Sequence, residues 1–114
     1  VAPWVVVVSD LAEHDLRAIG RWTRRKFGQR QAERYLQSIS AAITTLAAGP
    51  ATPGPRSRTD LPLDILALHT RGTRSRGRHV VLCRCHEHTG QRVAEVLRVL
   101  HEMMDLPRHL DPTD

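Results

Sequence analysis

The chain is poor in cysteine, lysine and aromatic side chains, and each scarcity closes off a class of protein. Its two cysteines, Cys83 and Cys85, are too few to staple a secreted scaffold, so a reducing, cytoplasmic setting is expected. The longest unbroken apolar run lies around Val5–Val8, far short of a membrane span. It follows no basic segment and precedes no small-residue cleavage site, so it does not read as a signal peptide. Neither secretion nor a membrane partner is expected. The aromatic residues are Trp4, Trp22, Phe27 and Tyr35, and three of them fall in predicted helices rather than on an exposed sheet. Base stacking is therefore not expected, nor is direct sequence-specific binding to nucleic acid.

What remains is ordinary for one folded domain spanning 1–114: 40% hydrophobic and 25% charged residues. The charge is lopsided. Seventeen basic residues, all arginine except Lys26, face 12 carboxylates, for a formal net charge of +5. Such a surface suits an acidic protein or a phosphate-bearing partner.

Hydrophobic periodicity divides the chain. Residues 4–8 read as a short buried strand. Ser9-Asp10 then opens a helix, with Asp10 and Glu13 at capping-box spacing. Ala12, Leu16, Ile19, Trp22 and Phe27 recur along it, and Gly28 is placed to end it in a left-handed conformation. Ala32, Tyr35, Leu36, Ile39, Ile43 and Leu46 form the stripe of a second helix, stopped by Gly49-Pro50. The link at Gly28 is so short that the two helices must form an antiparallel hairpin. A connecting loop of prolines, glycines and arginines occupies 49–60. The period then changes from 3.6 to 2, and 64–70, 78–86 and 92–101 read as three strands with a turn around Thr89-Gly90. Asp105 is placed to cap a last helical turn over 106–110. The expected fold is α+β: an N-terminal strand and an antiparallel helical hairpin packed on one face of a three- to four-stranded, mostly antiparallel sheet. Ala12, Leu16, Ile19, Ile39, Ile43 and Leu46 are expected to pack on Val81, Cys83, Leu97 and Val99 or their neighbours.

Three groups of residues invite a chemical reading. Cys83, Cys85, His86 and His88 are metal-like in type, but along a strand the cysteines point to one face and the histidines to the other, so a single tetrahedral site is not expected. No metal and no cofactor is assigned. The segment 71–78 carries Arg71, Arg74, Arg76 and Arg78 among glycines and a serine, with Arg56 and Arg58 able to join it. It is either a phosphate- or carboxylate-binding loop or a solvated hairpin tip. Arg84, Arg98 and His101 form a trio able to hold a phosphodiester, with His101 as general acid or base. The alternative is structural, with Arg98 paired to Glu95 or Glu102 and His101 capping the turn that follows.

Several segments together resemble one family. They are Ser9-Asp10-Leu11-Ala12-Glu13-His14-Asp15-Leu16-Arg17-Ala18-Ile19, Gly28-Gln29-Arg30-Gln31-Ala32-Glu33-Arg34-Tyr35-Leu36, Leu46-Ala47-Ala48-Gly49-Pro50, and the stretch from Val96-Leu97-Arg98 through His101-Glu102-Met103-Met104 to Leu110. In order and spacing they resemble the ParE/RelE toxins of bacterial type II toxin–antitoxin systems, nearest the ParE branch. The resemblance implies a small basic toxin that is neutralised by the wrapping C-terminal segment of a cognate antitoxin. ParE-like members inhibit DNA gyrase by binding, without chemistry of their own. RelE-like members cleave messenger RNA on the ribosome, using basic residues with a tyrosine or histidine near the C-terminus. The strands and the segment after them carry no tyrosine, which favours gyrase, while His101 and His109 keep ribonuclease activity as the alternative. A toxin-like protein that has lost its target is a third possibility. Two departures from the ParE pattern stand out. The Gly-Leu-Arg stretch usual before the second strand is replaced by Leu63-Asp64-Ile65-Leu66-Ala67-Leu68, and the 71–78 hairpin is longer than usual.

The residues assigned on this basis are Arg74, Arg76, Arg78 and Arg98 for target binding. For the antitoxin they are Arg17, Arg21, Arg24 and Arg25 on the first helix with Met103 and Met104, whose side chains adapt to an incoming apolar surface. Arg84, Arg98 and His101 would be catalytic in the ribonuclease reading.

Overall fold

The computed structural model describes residues 3–51, 54–70 and 78–110. In chain order these form β1 (Val5–Val8), α1 (Asp10–Phe27), α2 (Gln29–Thr44), a 3-10 turn (Thr45–Ala48), β2 (Leu66–His69), β3 (His79–His88), β4 (Gln91–His101) and a last 3-10 turn (Pro107–Leu110). The four strands make one sheet in the order β1-β4-β3-β2. β1 lies parallel to β4, from Val5 beside Val93 to Val8 beside Val96, and the other two pairings are antiparallel. The α+β hairpin-on-sheet architecture is the one read from periodicity.

β1 is not fully buried, contrary to the sequence reading. It is an edge strand, and only Val6 and Val8 turn into the core while Val5 and Val7 face outward, because the helical hairpin covers one face alone. The helix start also differs in detail. Ser9, not Asp10, is the N-cap, and its hydroxyl accepts from the Ala12 amide at 3.1 Å. The third helical position is then Ala12, so Glu13 has no capping-box role. Asp10 and Glu13 instead place negative charge in the first turn, where the helix dipole favours it. Gly28 does have positive φ (91°), but its ψ of 171° is extended rather than αL. That geometry lets it end α1 through its amide to the Arg24 carbonyl and open α2 through its own carbonyl to the Ala32 amide. The two helices close tightly at Gly20, where an added Cβ would come within 2.9 Å of Leu36 Cδ1.

The helical face of the core joins Ala12, Ile39, Ile43 and Leu46 to Leu68, Val81, Cys83, Ala94, Val96 and Val99, with Leu16 and Ile19 at its margin. Burying a side chain such as Ile39 or Leu46 contributes about 2 kcal/mol each. A second cluster fills the opposite face of the sheet: Leu61, Ile65, Ala67, Val80, Leu82, Leu100 and Leu106. This second layer, built by the segment before β2 and the chain after β4, was not anticipated. Part of the expected connecting loop also adds to the sheet, since Arg56 bridges Ala67 and blunts the outer edge of β2.

The β3–β4 hairpin turns through two residues, Thr89 (φ 48°) and Gly90 (φ 79°), between the pair His88 and Gln91. The register holds to Cys83 opposite Val96 and then slips, so that Leu82 faces Arg98. Leu97 is the extra residue of a β-bulge. Leu97, next to Val96, faces the second cluster, which overturns its expected packing against the helices, while the slip returns Val99 to the helical face beside Val81. Trp22 and Phe27 are likewise not in the core: they are 50% and 64% exposed. The inward positions at that end of α1 are the small residues Gly20 and Thr23.

Candidate functional site

The bulge organises the chemistry around it. Bulging leaves backbone groups on β4 without ladder partners, and the start of α1 supplies them. Ser9 donates its hydroxyl to the Leu97 carbonyl at 2.9 Å, and the Val99 amide donates to Asp15 Oδ2 at 3.0 Å. Asp15 also accepts two bonds from Arg98, Nε to Oδ2 at 2.8 Å and Nη2 to Oδ1 at 2.9 Å, while Nη1 donates to the His109 carbonyl at 3.0 Å. The hydrogen bonds to Asp15 stabilise the guanidinium and raise its pKa above the usual arginine value. Arg98 thus ties α1 to the C-terminal turn. The structural alternative for Arg98 holds, but the partner is Asp15 and not Glu95 or Glu102.

The nuclease-type trio is not brought together. Arg84 and Arg98 both line an open groove of about 920 Å³, with Ser9, Leu11, Ile65, Leu97, Met104 and Arg108 among its other walls. Arg84 Nε stands 3.0 Å from Asp64, a charge contact outside hydrogen-bonding alignment. His101 lies elsewhere. It pairs across the sheet with His79, and its Nδ1 accepts the Met103 amide at 3.2 Å, the capping role that was the structural reading.

His79 is the centre of a cluster that sequence reasoning missed. Its Nδ1 is hydrogen-bonded to the Tyr35 hydroxyl from α2, and its ring meets that of His101 edge-on at 5.4 Å. Burial, with the neighbouring His101, pushes the His79 pKa down to about 4, and burial pushes the Tyr35 hydroxyl up. At neutral pH both groups are therefore uncharged. The only sequence signal was that His79 and His101 stand at the ends of the two strands of one hairpin. Above about pH 6.5 His79 is neutral in folded and unfolded chains alike. As the pH falls toward 4 the unfolded chain takes up a proton that the folded one refuses, so stability should drop by about 1–2 kcal/mol, allowing for partial exposure. His79→Gln should flatten that decline in urea unfolding between pH 7 and 4.5. Parallel curves for wild type and variant would dissociate His79 from it.

The other assigned residues are dispersed. Arg74 and Arg76, like Arg71, lie outside the described residues. Arg78 is exposed beside His79, and its carbonyl accepts the Glu102 amide. Arg58 is engaged by Asp60 through two hydrogen bonds, which hold the Asp60 carboxyl below its usual range. Arg17, Arg21, Arg24 and Arg25 are exposed along α1. Met103 and Met104 are both exposed, and Met104 opens onto the groove. Leu11, which shares that groove, and Arg24 stand thirteen residues apart on α1, about 20 Å. Met103 and Met104 thus do not form one patch with Arg24 and Arg25. Cys83 and Cys85 are free thiols on the helical face; burial pushes Cys83 up to about 12 and raises Cys85 as well, so both stay protonated. Among the described residues no three His, Cys, Asp or Glu side chains gather as a metal site would require, and no helix is long and apolar enough to cross a membrane.

A helical hairpin over a four-stranded mixed sheet is the architecture of the toxins in two solved toxin–antitoxin assemblies. The chain superposes with a TM-score of 0.68 on a structure of the chromosomal ParDE system from P. aeruginosa, at 17% identity, covering 86% of this chain and 95% of that one. It superposes with a TM-score of 0.56 on the RelBE2 toxin–antitoxin complex of Mycobacterium tuberculosis, at 21% identity, covering 88% and 92%. At the level of sequence, residues 6–106 match the family described as the ParE toxin of the type II toxin–antitoxin system parDE. Toxin ParE of Escherichia coli is 36% identical over 99 residues, 87% of this chain and 85% of that protein. The chain belongs to the ParE toxin family, and it is a toxin of the type II toxin–antitoxin class.

Proposed function

We propose that this toxin arrests growth in the cytoplasm by binding DNA gyrase, without catalysing a reaction, and that a cognate antitoxin neutralises it. The match to the ParE family across residues 6–106 carries this reading. The state of Arg98 supports it: its guanidinium is committed to Asp15 and the C-terminal turn rather than turned toward a scissile phosphate. Target contact is assigned to Arg78 with Arg74 and Arg76 of the same segment. The groove that takes in Leu11, Leu97, Met104 and Arg108 suits an antitoxin segment that is apolar on one side and acidic on the other. The α1 arginines that the sequence reading gave to that partner are not among the groove's walls, so the antitoxin contact is assigned to the groove alone.

One observation favours the ribonuclease reading. Tyr35 reaches the sheet from α2 and meets His79 and His101, so the absence of tyrosine from the strands does not keep a tyrosine away from them. Both readings are tested with purified components. The toxin should block supercoiling by gyrase, and added antitoxin should restore it. Undisturbed supercoiling together with cleavage of ribosome-bound messenger RNA would reverse the assignment.

A further inference from the structure

The tip of the helical hairpin carries a dense run of positive charge and two of the chain's four aromatic side chains. Between Leu16 and Ala32 the chain has six cations, Arg17, Arg21, Arg24, Arg25, Lys26 and Arg30, and no carboxylate. All six are exposed, and none forms an ion pair among the described residues. Arg17, Arg21, Arg24 and Arg25 follow the i, i+4, i+7, i+8 spacing of one helix face. Beside that stripe Trp22 and Phe27 stand half or more exposed, packed on each other edge-to-face with ring centroids 6.0 Å apart. They make a projecting apolar knob, beyond which Gly28 faces open space.

We propose that this tip is the docking knob through which the toxin engages its protein target, with Trp22 and Phe27 seated in a concave apolar pocket rimmed by carboxylates. The inference rests on the reading of the protein as a toxin that acts by binding a target. Three observations select an acidic protein surface. Six cations without a neighbouring carboxylate favour a partner of opposite sign and would steer its approach. Tryptophan and arginine are the side chains that most often dominate protein interfaces when buried there. The edge-to-face pairing favours a pocket over nucleic acid, because each ring already packs against the other and the pair presents a compact knob rather than a stacking platform for successive bases. Position agrees with the target contact assigned to Arg78. Tyr35 lies seven residues from Gly28 along α2, about 10 Å, and is hydrogen-bonded to His79, the neighbour of Arg78. Arg78 and the tip therefore share one end of the molecule, while the groove is built by the start of α1, the sheet and the chain after β4.

Trp22→Ala/Phe27→Ala removes side chains that the fold leaves exposed, so its urea midpoint should match wild type. The variant should lose growth arrest on expression and need about 100-fold more protein for half-inhibition of purified gyrase. It should still bind the antitoxin through the groove. Arg21→Glu/Arg25→Glu should weaken inhibition and remove most of its salt dependence. Unaltered growth arrest by the folded double alanine variant would overturn the proposal. So would binding of a labelled single-stranded or duplex oligonucleotide that vanishes in that variant, since the patch would then belong to nucleic acid. Growth arrest that depends on the tip while wild type leaves gyrase untouched would retain the knob and overturn the gyrase assignment instead.

Discussion

Asp15→Ala is expected to cost about 3 kcal/mol of folding stability, a large effect for one polar side chain. Asp15 is 11% exposed and its partner Arg98 19%, so water screens the pair weakly. The carboxylate accepts three hydrogen bonds, two from Arg98 and one from the Val99 amide. Removing it strands a partly buried guanidinium and leaves the amide beside the bulge without its partner, and breaking buried pairs in this way costs about 3–5 kcal/mol. Asp15→Asn keeps an acceptor for Val99 but not the charge, and should fall between. Arg98→Ala should also destabilise, less severely, because Asp15 retains the Val99 bond. The double variant should lose less than the sum of the two singles, since each single removes the same interaction. Urea unfolding would measure all four, and an Asp15→Ala midpoint equivalent to less than 1 kcal/mol would sink this account. A loss of toxicity in Arg98→Ala must accordingly be read against its loss of fold.

The features that were legible in the sequence are those that depend on neighbours in the chain. Alternation marked the strands, Thr89-Gly90 marked the turn between the last two, Gly28 marked the link between the helices, and Gly49 marked the end of the 3-10 turn that follows α2. The bulge at Leu97 left no local signal, because an extra residue satisfies the same alternation on either side of it. Without the bulge, counting outward from the turn places His79 opposite Leu100 rather than His101. The histidine pair and the return of Val99 to the helical face both follow from that single slip. The reading of α1 failed for a different reason. Trp22 and Phe27 extend the apolar period past the point where the sheet needs it, and the close contact with α2 is made at Gly20, with Thr23 the other buried residue of that end. Close approach of two helices selects small residues, which a search for large apolar ones overlooks. The failure was informative: the misassigned side chains form the tip to which target docking is assigned.

The two glycines that punctuate the hairpin offer a controlled comparison of strain and crowding. Gly28 has φ 91° and ψ 171°, and Gly49 has φ 90° and ψ 174°, so their backbones are nearly superimposable. That region is almost closed to residues with a Cβ, and entering it costs about 1–3 kcal/mol. Their surroundings differ completely. A Cβ on Gly28 would meet nothing within 4 Å, whereas one on Gly49 would run into the Trp4 indole. Trp4 has little room to retreat: its amide donates to the Ala47 carbonyl at 2.9 Å, its side chain packs against the helical core, and the Arg92 guanidinium lies 5.7 Å from its ring centroid. Gly28→Ala should therefore cost about 2 kcal/mol, the conformational part alone. Gly49→Ala should cost about 4 kcal/mol, the same conformational part plus the displacement of a packed ring. The damage should fall on β1, because Trp4 precedes that strand and its backbone bond to Ala47 holds it to the turn after α2. Hydrogen exchange of the β1 amides should accelerate in Gly49→Ala and stay at wild-type rates in Gly28→Ala. Equal losses of stability in the two variants would show that crowding by Trp4 contributes nothing and that backbone conformation alone selects glycine at both sites.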